Sequence, residues 1–213
     1  VLLIDFSPFI QQKNDILARY WEQYLVDSIS GQWDYVESVL FGYAAAKTIE
    51  SFFKCYLSFN NKIVAHFHEW MTGSGALSLR KEMPNIGTVF TTHATTVGRS
   101  LSGNGQPFYD NISVIDGDQK AHELNVVSKH SIEKASAQNV DCFTTVSEIT
   151  ASECRQFLEH EVDVITPNGF EEDFVPKGDD YIKKRAAARL KLKTVAEALL
   201  GYPLSENALF IAN

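Results

Sequence analysis

Apolar residues return along this chain in two rhythms. Ile16, Leu17, Tyr20, Trp21, Tyr24 and Leu25 recur at three- and four-residue spacing, which is the stripe of an amphipathic helix. A longer helical pattern runs from about Val36 to Phe59 and is apolar on most sides, through Val39, Leu40, Phe41, Ala44 to Ala46, Ile49, Phe52 and Phe53. Such a helix is expected to be largely buried. Short apolar runs then predict strands at Ile63 to Phe67, Thr88 to Thr92, Cys142 to Val146, Val162 to Thr166 and Ala208 to Ala212. Helical patterns separate them, around Gly75 to Glu82, Asp118 to Gln138, Glu148 to Glu159 and Asp179 to Leu200. This alternation predicts crossover units and a parallel sheet, so the expected class is α/β.

The polar stretches divide the pattern. Leu101 to Gly117, with Ser102-Gly-Asn-Gly-Gln-Pro107, reads as one long structureless loop, and loops of that length tend to be functional. Pro167-Asn-Gly169, followed by Glu171, Glu172, Asp173 and Pro176, reads as an exit from the sheet toward a linker. Val1 to Asp5 reads as a strand already under way, and Ala208 to Asn213 as one cut short, so a piece of a longer protein is expected.

Composition narrows the function classes. A chain of 213 residues, 45% hydrophobic and 12% aromatic, can bury a real core, which argues against disorder. Nineteen basic against 27 acidic residues give a net charge of −8, and a nucleic-acid partner is not expected from so acidic a chain. Cys55, Cys142 and Cys154 form no CxxC pair and read as small core residues of a reducing compartment. No signal peptide opens the chain and no apolar run reaches the roughly 18 residues of a membrane span, so a cytosolic, membrane-free protein is expected. The Asn111-Ile-Ser113 triplet is then a chance glycosylation match.

Chemistry concentrates between Lys62 and Arg99, where two strands expected to be buried each end in a histidine-bearing turn. Ligands of open parallel sheets bind beyond the carboxyl ends of the strands. His68 with Glu69, and His93 with Arg99, are therefore expected on one rim. Polar groups at strand ends are half desolvated and need partners, so a binding site is expected on this edge. His93 precedes a helical turn, and a helix amino terminus beside His93 and Arg99 could form an anion or sugar-hydroxyl site, or simply a capped turn.

Other motifs are weaker. Gly73-Ser-Gly75 lacks the third glycine of a dinucleotide fingerprint, Ser78 standing in its place, and reads as a loop passing close to a ligand or as a tight helix start. His66, His68 and Glu69 have no further metal ligands nearby in sequence; no metal is expected, and His66 reads as a satisfied core histidine. Ser147 reads as a helix cap, with Thr150 and Glu153 as a secondary one, and no nucleophile elbow surrounds it. Asn168-Gly169 is a turn by its chemistry whose amide could also bind a hydroxyl. Lys183, Lys184, Arg185, Arg189, Lys191 and Lys193 read as a solvated helix face.

Four sequence words resemble the eukaryotic-type glycogen synthases, glycosyltransferase family 3. They are Val64-Ala-His-Phe-His-Glu-Trp70, Phe90-Thr-Thr-His-Ala-Thr95 with Gly98-Arg99, Phe143-Thr-Thr-Val-Ser147 with Ile149-Thr-Ala151, and Thr166-Pro-Asn-Gly169. The resemblance implies a Rossmann-like amino-terminal lobe of a two-lobe GT-B enzyme, incomplete at its start, over residues 1–177. Residues 178–213 would be the crossover helix and first strand of a carboxyl-terminal nucleotide-sugar lobe. It implies retaining transfer of glucose from UDP-glucose to the nonreducing end of glycogen or another α-1,4-glucan, no cofactor, and a homo-oligomer when intact. His93 would hydrogen-bond the glucose and Asn168, with Gly169, a sugar hydroxyl; Arg99 would sit near the phosphate or order that loop, Glu69 would act on the acceptor side, and His68 on the same substrate rim. Leu101 to Phe108 and Ser128-Lys-His130 depart from the pattern of animal enzymes and point to a microbial relative. An ADP-glucose transferase of the starch-synthase kind and a noncatalytic glucan-binding lobe are the alternatives.

Overall fold

Side chains alternate across a strand, and the first strand shows how the sheet is used. Along Val64–His68 (β1), Ala65 and Phe67 turn inward while Val64, His66 and His68 turn out. A computed structural model describes residues 1–57, 60–169, 171 and 175–210. Within it β1 pairs with Gly87–Thr92 (β2), β2 with Cys142–Thr145 (β3), and β3 with Val164–Ile165 (β4), all parallel. The α/β, Rossmann-like expectation holds for this four-stranded sheet.

The helices between and before the strands are Lys13–Tyr24 (α1), Trp33–Tyr56 (α2), Trp70–Glu82 (α3), Thr96–Gly103 (α4), Gly117–Glu123 (α5), Val127–Asn139 (α6) and Glu148–Phe157 (α7). Register brings Phe67 beside Phe90 and Phe90 beside Phe143, and the rings of the latter pair stack 6.0 Å apart. Ala76 and Leu79 of α3, Ala137 of α6, Cys154 of α7 and Leu158 just beyond it close over them. Burying a ring such as Phe90 completely contributes about 1.5–3 kcal/mol. A second cluster joins Ile16 and Tyr20 of α1, Tyr35 and Leu40 of α2, Leu77 of α3 and Ile132 of α6.

Helices α2 and α3 cross at glycines. A Cβ on Gly75 would lie 2.7 Å from the Gly42 carbonyl oxygen, and one on Gly42 would lie 2.2 Å from Ser74 Oγ. Gly73 and Gly75 thus sit inside α3 for helix packing, neither in a loop near a ligand nor at a tight helix start. Ser74 Oγ donates to the Val39 carbonyl and Tyr20 donates to the Ser74 carbonyl, fastening the same crossing.

Several expectations are corrected. Strand β1 is buried on one face only, with Val64 65% exposed, whereas Phe90 to Thr92 of β2 and Phe143 to Thr145 of β3 are buried on both faces as expected. Val1 to Phe6 form no strand, since a strand requires a hydrogen-bonded neighbour and β1 through β4 pair only with one another. Helix α2 is apolar but Phe41 and Phe52 remain exposed; its expected end at Phe59 lies outside the described residues. Leu101 to Gly117 is not structureless. Helix α4 runs into it, Tyr109–Val114 forms a 3-10 helix, and Leu101 and Phe108 are buried against Val97, Ala121 and Phe157. The helix expected over Asp118 to Gln138 is two, α5 and α6, broken where Asn125 takes a left-handed φ of 57°. Only Cys154 is a core cysteine; Cys142 is half-buried and Cys55 exposed.

The described residues divide into two compact units, Val1–Asn168 and Gly169–Asn213. All elements above belong to the first. The second is built on helix Asp179–Leu200 (α8), ended by Gly201 at φ 77°. Its tail is held by Arg189, which donates to the carbonyls of Glu206 and Ala208 at 2.9 and 2.6 Å. Ala208 to Phe210 are not a strand; Ile211 and Ala212 of that expectation, and Glu172 and Asp173 of the expected linker, lie outside the described residues. No helix among the described residues is long and apolar enough to cross a membrane.

Candidate active site

Because all four strands run parallel, their carboxyl ends form one edge. His68 ends β1, His93 follows β2 directly, and Asn168 lies just past β4 and is exposed. Nδ1 of His68 lies 3.2 Å from Nε2 of His93, so one ring donates to the other and at least one is neutral in this contact. Burial, with His66 and His93 close by, holds His68 below the ordinary imidazole value. His66 stacks on His68 with ring centroids 4.1 Å apart, and its Nε2 lies 2.6 Å from Thr91 Oγ1. It is satisfied, as expected, but on the open sheet face and not in the core.

Glu69 connects these rings to Arg99. Its Oε1 accepts the His93 backbone N–H at 3.0 Å and lies 4.0 Å from Arg99 Nη2. Its backbone sits at φ 63°, ψ 161°, a region costly for any residue with a Cβ, of order 1–3 kcal/mol. Two bonds hold it there: Glu69 N–H donates to the Thr91 carbonyl at 2.8 Å, and Thr72 Oγ1 donates to the His68 carbonyl at 2.6 Å. Arg99 is itself mostly exposed, though Glu69 is not, and a pair 4.0 Å apart with one partner in solvent contributes little stability. The guanidinium is therefore available to an incoming anion.

Two amides at the amino terminus of α4 are already taken up within the protein. The Thr96 N–H donates to Glu133 Oε2 at 2.9 Å and the Gly98 N–H to the capping Thr95 hydroxyl at 3.0 Å. Ser147 caps α7 as expected, accepting from Thr150 N–H at 3.1 Å. Glu153 does not cap with Thr150; it accepts from the hydroxyls of Thr95 and Tyr109 at 2.6 and 2.8 Å. Among the described residues no group of three His, Cys, Asp or Glu side chains is arranged to hold a metal ion.

Residues 1–177 match the family model described as glycogen synthase. The chain belongs to the glycogen synthase family. It is 35% identical over 169 residues to the glycogen [starch] synthase of Caenorhabditis elegans, a match that covers 79% of this chain and 25% of that protein. It is 40% identical over 137 residues to that of Dictyostelium discoideum, covering 64% of this chain and 15% of the relative. Isoform 2 of Saccharomyces cerevisiae is 34% identical over 170 residues, 79% of this chain and 24% of the relative. The chain thus spans about a quarter or less of the length of these curated relatives.

The rim of this glycogen synthase family member brings together His68, Glu69, His93 and Arg99 as the sequence predicted, whereas Gly169 falls in the second unit. Sequence reasoning missed Glu133. It lies three and four residues before Ser136 and Ala137, both buried, and that shared helix face was the available signal.

Proposed function

We propose that this chain is the amino-terminal lobe of a retaining glucosyltransferase that moves glucose from UDP-glucose to the nonreducing end of an α-1,4-glucan. The convergence of His68, His93, Glu69 and Arg99 at the carboxyl edge, in a chain of the glycogen synthase family, carries this reading. In the transfer the bond from the anomeric carbon to the diphosphate oxygen breaks, the bond to the acceptor hydroxyl oxygen forms, and that hydroxyl passes its proton to the departing diphosphate. The transition state is a sugar cation beside a growing diphosphate charge, so fixed donors and cations are what it needs.

His93, its amide held by Glu69, presents its ring to the glucose, with His68 fixing the ring's orientation. Asn168 takes a further sugar hydroxyl. Arg99 leaves its weak contact with Glu69 for the diphosphate. The Oε1 bond to His93 supports Glu69 as a positioning group more than an acceptor-side catalyst. This lobe calls for no resident metal or cofactor, charge compensation resting on side chains. The intact enzyme is read as cytosolic and homo-oligomeric, with residues 1–177 as this lobe and 178–213 as the crossover into the second.

Nucleotide release by the intact two-lobe enzyme, with glycogen as acceptor, compares UDP-glucose with ADP-glucose. UDP release that depends on glycogen is expected. Preference for ADP-glucose, or release with neither donor, would overturn the assignment.

A further inference from the structure

Glu133 and Glu153 are among the most buried charged residues of the chain, at 0% and 5% exposure, and among the described residues their partners are hydroxyl and amide donors, with only the His130 imidazole near Glu133 able to carry a positive charge. A buried carboxylate without a cation is expensive, and general stability would be better served by apolar side chains of similar size. Their hydrogen bonds explain the expense. Glu133, from α6, accepts from Thr92 Oγ1 at 2.5 Å and from Thr96 N–H at 2.9 Å, gripping the residues immediately before and shortly after His93. Glu153, from α7, accepts from Thr95 Oγ1 and, through its other oxygen, from Tyr109. Gly98 clears the space: a Cβ there would lie 2.2 Å from Glu153 Oε2 and 2.7 Å from Thr95 Oγ1.

We propose that Glu133 and Glu153 are positioning residues for glycosyl transfer, two buried carboxylates that fix the Thr92–Thr96 turn and so set where His93 and Arg99 stand. This rests on the glucosyltransferase reading above. The N-cap hydroxyl and first helical amide of the turn both end on these two groups, which act beside the Glu69 bond to the His93 amide and the Thr145 Oγ1 bond to the Thr92 carbonyl. A carboxylate at a helix amino terminus also meets the positive end of the helix dipole, which offsets part of its burial. Burial raises Glu133 above the ordinary carboxyl range, with the Thr92 and Thr96 bonds pulling the other way. A neutral amide is therefore a fair substitute: in Glu133→Gln the side-chain carbonyl can accept from Thr96 N–H while the side-chain amide donates to Thr92 Oγ1.

The test uses the intact enzyme with Glu133→Ala, Glu133→Gln and Glu153→Ala, comparing kcat and KM for donor and glucan per folded molecule. The alanine variants are expected to lose turnover on the order of 10²-fold, as misplacement of reacting groups commonly costs, with KM for the glucan unchanged. Glu133→Gln is expected to regain most of that loss. Wild-type kcat in folded alanine variants would overturn the proposal. Should the alanine variants not fold, Thr92→Val and Tyr109→Phe each remove one bond, and unchanged kcat in both would overturn it equally. Should the wild type turn over neither donor, the glucosyltransferase reading fails separately. The His93 ring resonances then decide the positioning role: shifts in Glu133→Ala that Glu133→Gln does not share support it, and unmoved resonances refute it.

Discussion

Glu69 shows how a single residue can be held against its own backbone preference. At φ 63°, ψ 161° glycine is the unstrained choice, yet a carboxylate is needed to take the His93 N–H. Glu69→Ala should lose this bond and keep the strain, whereas Glu69→Gly should relieve it and be more stable than the alanine variant by about 1 kcal/mol in urea unfolding. Both should impair turnover. His68 gives a pH dependence. Its folded value lies below the ordinary 6.5, so the folded chain binds this proton less readily than the unfolded one. The associated stability is present above pH 6.5 and is lost as pH falls from there through the folded value. Urea unfolding between about pH 7 and 5 should show this fall, and His68→Gln should flatten it.

Among the elements, α4 and the crossing of α2 with α3 carry most of the site's geometry. Thr95→Ala removes the cap of α4 and one of the two donors to Glu153, so a loss above the usual 1 kcal/mol or so for a cap is expected in thermal unfolding. Gly75→Ala would press a methyl toward the Gly42 carbonyl and should cost about 1–3 kcal/mol, in line with overpacked cores. Element existence was legible where period and length agreed, as in α1, α7 and the strands before His93 and Ser147. The segment from Leu101 to Gly117 was not, because its glycines, Asn104 and Pro107 masked the apolar anchors Leu101, Phe108 and Ile112, which work only once Phe157 is brought against them. The break at Asn125 was hidden for a related reason: Leu124, Val126 and Val127 keep an apolar run going while they pack into a cluster completed by the distant Val97, Leu101 and Phe157. The rim residues could be read from the strand ends, but the carboxylates beneath them belong to helices far along the chain and converge only through the fold.

At the scale of the molecule, a parallel sheet gathers into one edge residues that are widely separated in sequence, and that edge is where His68, Glu69, His93 and Arg99 meet. The proposed reaction needs a second surface to close over the donor, so the 213-residue chain alone is expected to show no glucose transfer, and measurable turnover by it would contradict a two-lobe site. The most direct test of the account compares the intact enzyme with a His93→Ala variant shown to be folded, measuring glycogen-dependent UDP release from UDP-glucose. Robust release by the wild type and a fall on the order of 10²-fold or more in the variant are expected. Equal turnover by the two would remove His93, and with it the carboxyl-edge rim, from the chemistry.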